Sequence, residues 1–119
     1  MNVSQLSGAL LDYWVAKCEG AGATLGPRIV EFVDGVNRCR IGGAYERTYS
    51  PSTDWSIGGA LIESHRIVLI PAVGDGGAWL AQTMSGNGNS QFGETALIAA
   101  MRSLVMAKFG AEISDEVPA

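Results

Sequence analysis

Within seven residues, Tyr49-Ser50-Pro51-Ser52-Thr53-Asp54-Trp55, the chain gathers four hydroxyls, one carboxylate and one indole. Hydroxyls and a carboxylate supply hydrogen-bond donors and acceptors, and an indole supplies a flat apolar wall. Such a set could hold a small polar ligand or the backbone of a partner. The same residue types also build helix starts. Ser, Thr and Asp accept hydrogen bonds from the free N–H groups of a first turn, and Pro51 fixes φ ahead of them. The bracing reading outweighs the binding one on composition alone.

His65 is the sole histidine, so any Ser–His or Cys–His nucleophile pair would have to use it. No spacing brings Cys18, Cys39, Ser52 or Asp54 to it. Arg102 stands amid an apolar stretch, where it must reach solvent or pair with an acid such as Asp54. The candidate ligand-binding set is therefore Tyr49, Ser50, Ser52, Thr53, Asp54, Trp55, His65 and Arg102, with no catalytic residue assigned. Cys18 and Cys39 sit in no metal-ligand spacing, and His65 with Glu63 offers two ligands where zinc wants three or four. No metal and no cofactor are expected. Gly86-Asn87-Gly88 lies before a helix, as a dinucleotide loop would, but Gln91 stands where the third glycine belongs. It reads as a plain loop.

These residues need elements to position them. Leu6, Leu10, Tyr13, Trp14 and Lys17 recur at helical spacing, predicting a first helix over 4–19 with Ser4 as its cap and Gly20 as its stop. Gly8 inside it suggests a close crossing with another element. Strands are expected at 28–33 and 36–41, joined by an Asp34-Gly35 turn, with a short extended piece at 45–49. The Ser50–Asp54 turn leads into a short helix over 55–64. Arg66–Ala72 reads as a strand buried on both faces, pairing through a Gly74–Gly77 turn with a second strand at 78–84. A loop is expected over 85–91. Glu94–Phe109, stopped by Gly110, is the strongest helix. It is apolar around most of its circumference, so it should be packed on more than one side.

The 119 residues suit one domain, taken as 1–110 with a short acidic tail over 111–119. Hydrophobic residues make up 47% and charged residues 17%, which excludes a disordered chain and leaves a surface short of charge. That shortage points to a homo-oligomer or a protein partner. The net charge of −4, much of it in the tail, disfavours nucleic acid, whose binding needs clustered Lys and Arg. No apolar run is long enough for a membrane span, and no secretory signal opens the chain, so a cytoplasmic protein is expected.

Ser50-Pro51-Ser52-Thr53-Asp54-Trp55, followed by Gly58-Gly59 and Ile62, resembles the central signature of the NinX-like phage and prophage proteins. Residues 10–20 are similar to that family's first helix. Leu97-Ile98-Ala99-Ala100-Met101-Arg102, with Lys108-Phe109-Gly110, is similar to its last. The resemblance implies a small accessory protein of phage or prophage origin in the host cytoplasm, and it implies no reaction, cofactor or site. The fold expected from the pattern is α+β, a small, mostly antiparallel sheet packed against the N-terminal and C-terminal helices. The function expected is a non-enzymatic binding or interaction module. The alternative is a small-molecule binder or minor enzyme working at the Tyr49–Trp55 loop.

Overall fold

The computed structural model describes residues 1–18, 30–33, 38–41, 47–72, 78–84 and 90–113, with 30–33, 38–41 and 47 in backbone alone. The Gly20 stop, the Asp34-Gly35 and Gly74–Gly77 turns, the Gly86-Asn87-Gly88 cluster and most of the acidic tail lie outside them. The arrangement is α+β with antiparallel pairing throughout, its strands divided between two three-stranded sheets. One sheet joins β1 (Val30–Val33), β2 (Arg38–Ile41) and β3 (Arg47–Thr48). The other joins β4 (Val68–Pro71), β5 (Trp79–Gln82) and β6 (Ser90–Gly93). Helices α1 (Gly8–Cys18), α2 (Trp55–His65) and α3 (Ala96–Phe109) complete it.

The N-terminal helix is not continuous over 4–19. A 3-10 turn, Val3–Gln5, is capped by Asn2, whose side chain accepts from the Ser4 N–H. Only then does α1 begin, at Gly8, whose φ of +59° is the left-handed conformation that glycine adopts without strain. Gly8 therefore serves a backbone bend and no close crossing: a Cβ there would meet nothing within 4 Å. The buried face of α1 is Ala9, Leu11, Asp12, Tyr13, Val15 and Ala16; of the expected stripe Leu6 and Tyr13 are buried, Leu10 and Trp14 pack partly against the core and Lys17 is exposed.

Helix α3 is packed against the β4–β6 sheet, α1, α2 and the N-terminal turn. Thr95 starts it, its hydroxyl accepting from the Ile98 N–H at 3.1 Å, so Glu94 falls just outside. Leu97, Met101, Leu104 and Val105 are buried along it, each worth roughly 1.5–3 kcal/mol. The buried Ser103 hydroxyl donates to the Ala100 carbonyl at 2.8 Å. Strand β6 presses so closely on this helix that a Cβ on Gly93 would overlap the Ala99 backbone. This strand replaces the end of the loop expected over 85–91.

Helix α2 ends in a paired cap. The Arg66 N–H bonds back to Glu63 and the Ile67 N–H to Ile62 at 3.0 Å, with Arg66 left-handed at φ +53°. The chain then enters β4, which is not buried on both faces: Val68 and Ile70 are exposed while Ile67 and Leu69 turn inward. Val3 N–H to Ala111 and Ile113 N–H to Met1 fasten residues 111–113 to the start of the chain.

Candidate functional site

The Ser50–Trp55 segment is held from three sides. Its own turn closes through the Ser50 carbonyl, which accepts from the N–H groups of Thr53 and Asp54 at 3.2 and 2.9 Å. Asp54 caps α2, its carboxylate accepting from the Ser56 N–H at 2.9 Å and the Ser56 hydroxyl at 2.6 Å. Those bonds, the hydroxyl's foremost, hold the Asp54 carboxyl below its usual range. Pro51 is fully buried, and its carbonyl lies where a Cβ on Gly58 would be, a site also 2.7 Å from a Leu97 methyl. The motif and Gly58 thus belong to one packing arrangement: only glycine at 58 lets the turn lie flat on α2, whereas a Cβ on Gly59 would meet Trp55 at an ordinary 3.5 Å.

The third anchor comes from α1 and was not singled out in the sequence. Asp12, 5% exposed, accepts from the Ser52 N–H at 2.9 Å. Burial pushes its carboxyl up to about 6, against the opposing pull of the Ser52 hydroxyl and N–H. The Ser52 hydroxyl faces that carboxyl without reaching hydrogen-bond geometry, and it meets no other partner among the described residues. Asp12 is the lone charge in the otherwise apolar run from Ala9 to Ala16, the one signal by which the sequence could have betrayed it.

The predicted ligand-binding residues do not converge. Tyr49 is buried in the core and Ser50 is half-buried in the turn. Ser52, Thr53 and Trp55 line a shallow recess of about 230 Å³ with Thr95, Leu97 and Ile98, between the starts of α2 and α3. Trp55, 58% exposed, forms its outer wall. Asp54, His65 and Arg102 are absent from that lining. His65 closes the far end of α2.

Arg102 bonds to two backbone carbonyls and not to Asp54. Its Nε donates to the Leu6 carbonyl at 2.7 Å and its Nη1 to the Phe92 carbonyl at 2.9 Å. It straps the N-terminal turn and β6 onto α3. Burial lowers its pKa, with Glu94 opposing. Among the described residues no group of three or more His, Cys, Asp or Glu could hold a metal, and no helix is long and apolar enough to cross a membrane.

The surface that stands out lies elsewhere. Register pairs Ile70 with Leu80 and Leu80 with Phe92, so these three form a row across the β4–β6 sheet on the side away from α3. Phe92 is 54% exposed, Ile70 45% and Val68, next on the same face, 39%. Gln82 and Ser90 complete this face, and none of its six residues is charged.

These features define a small α+β protein whose polar motif is an internal brace and whose open sheet face is apolar. The family described as Bacteriophage P22, NinX matches residues 2–108, and the chain belongs to that family. It is a phage protein by descent. No curated protein matches the chain.

Proposed function

We propose that this phage protein is a non-enzymatic interaction module that works as a homo-oligomer in the host cytoplasm, with the outer face of the β4–β6 sheet as its contact surface. The observation that carries the reading is the uncharged row Ile70, Leu80 and Phe92, set in register, with Ile70 and Phe92 open to solvent and Leu80 half-buried between them. Antiparallel sheets that keep one face in water ordinarily alternate apolar with polar residues, and this one does not. An apolar face without charge gives no handle to a charged partner, whereas a second copy meets it with the same chemistry. The low charged share of the whole chain supports the same reading.

A small polar ligand at the Tyr49–Trp55 loop has less support. The recess beside Trp55 offers it a shape, but the Asp54 carboxylate already caps α2 and lies outside the lining, while Ser50 and Ser52 hold the turn through their backbone carbonyl and N–H.

Sedimentation equilibrium tests the preferred reading. Wild-type protein should exceed the chain mass of 12.4 kDa, and Phe92→Lys should weaken the association at least tenfold while leaving the circular dichroism unchanged. Unaltered association in Phe92→Lys, or a wild-type monomer at every concentration, would remove the face from consideration.

A further inference from the structure

We infer that Met84 is an oxidation site that governs self-association. Conversion of its thioether to the sulfoxide by hydrogen peroxide puts a polar oxygen at the margin of the β4–β6 outer face and loosens the contact between copies. This rests on the homo-oligomer reading and adds to it a residue and a chemical control.

Met84 follows β5, and the alternation of that strand runs on through it. Ala81 and Thr83 are buried, at 0% and 1% exposure, while Gln82 and Met84 are exposed. Met84 therefore continues the outward series of Leu80 and Gln82, one step beyond the six residues of that face. At 69% exposure it is the most open large apolar side chain among the described residues.

The chain's other methionines are placed differently. Met101 is fully buried in the core. Met106 is half-buried, and its sulfur accepts from the Gln91 amide at 3.0 Å. Met1, 38% exposed, lies where residues 111–113 meet the start of the chain and not on the sheet. A peroxide must reach a sulfur lone pair, so exposure directs it to Met84 first.

The step is balanced by the peroxide itself. The sulfur lone pair forms a bond to one peroxide oxygen, the O–O bond breaks, and the hydroxyl proton passes to the departing oxygen, which leaves as water. Sulfur gives up two electrons and the peroxide takes both. A flexible apolar side chain becomes a polar one with a strong acceptor oxygen. Of the six residues of the face only Gln82 and Ser90 carry side-chain donors. Covered by the apolar face of a second copy, the new oxygen loses its water without gaining a donor. In the separate chain it stays hydrated, so the fold bears the change and the association does not.

Sedimentation equilibrium before and after peroxide treatment tests the assignment, with oxidised residues mapped by mass spectrometry and Met84→Leu as the companion variant. That variant keeps an apolar side chain that peroxide leaves alone, and it retains Cys18 and Cys39. Untreated, the two chains should associate alike. Treated wild type should lose at least fivefold in association with unchanged circular dichroism, and treated Met84→Leu less than twofold. Met84 should also oxidise at least threefold more slowly at concentrations where the chain is associated than where it is monomeric. Equal weakening of both chains, full association of a chain oxidised at Met84, or an oxidation rate indifferent to protein concentration would overturn the assignment and leave the homo-oligomer reading standing. A wild type that is monomeric before treatment would end both.

Discussion

The brace around Ser50–Asp54 and the outer face of the β4–β6 sheet are opposites. The brace is rich in groups that could do chemistry, yet its backbone is tied to Asp12 and to its own turn, and its one carboxylate, Asp54, caps α2. The sheet face is built from residues that look like core, yet Val68, Ile70 and Phe92 face water. Polar side chains in a turn against a helix start are first claimed by the unsatisfied backbone around them, because an unmet buried donor costs about 1–3 kcal/mol. Apolar side chains carry no such local demand, so whether they are covered depends on what lies opposite.

The sharpest way to break this contrast is Gly58→Leu. The new side chain would displace Pro51 and Leu97, and we expect a loss of about 3 kcal/mol in urea unfolding, against no comparable loss for Phe92→Lys. Equal losses at the two positions would erase the distinction. The next effect is pH-dependent. With its folded pKa raised from 3.8 to about 6, Asp12 adds stability in full below pH 4, and that contribution disappears as pH rises through 6. At about 1.4 kcal/mol per unit it amounts to up to about 3 kcal/mol, and Asp12→Asn should remove this slope between pH 4 and 7 while keeping an acceptor for Ser52. An unchanged slope in the variant would show that Asp12 is not the buried titrating group.

Smaller effects sharpen the picture. Arg66→Gly should stabilise by about 0.5 kcal/mol in thermal unfolding, because glycine takes the left-handed cap without strain but loses more freedom on folding. Ser52→Ala should stay within about 0.5 kcal/mol, since the backbone bond to Asp12 remains and the lost hydroxyl has no partner of its own. A large loss there would reveal a bond that the Ser52 hydroxyl makes in solution.

Much of the fold was legible in local pattern. The helical spacing in α3, the turn formers before α2 and the run that became β4 announced their elements, since periodicity and capping are properties of a few adjacent residues. The break at Gly8 was not legible, because a glycine inside a helical pattern reads alike whether it is tolerated or bends the chain. Strand β6 was hidden in Ser90-Gln91-Phe92-Gly93, whose composition suits a loop. It is a strand because β5 offers it a ladder and Ala99 leaves room only for Gly93. Of the expected site, the sequence identified Asp54 as a cap and the turn as a brace. It missed Asp12, forty residues away, since nothing in the chain's order brings α1 to Ser52.

What the sequence determined by itself is therefore the α+β class, the Asp54 start of α2 and the Gly110 stop of α3, and a chain poor in charge, all consequences of composition and short-range spacing. Tertiary structure alone decided which apolar residues were buried. Ile67, Val68, Leu69 and Ile70 are nearly alike in chemistry, yet α3 covers one side of their strand and nothing described covers the other. The hydrophobic effect rewards burial without specifying the partner, so a run of like residues acquires an inside and an outside only when a second element arrives.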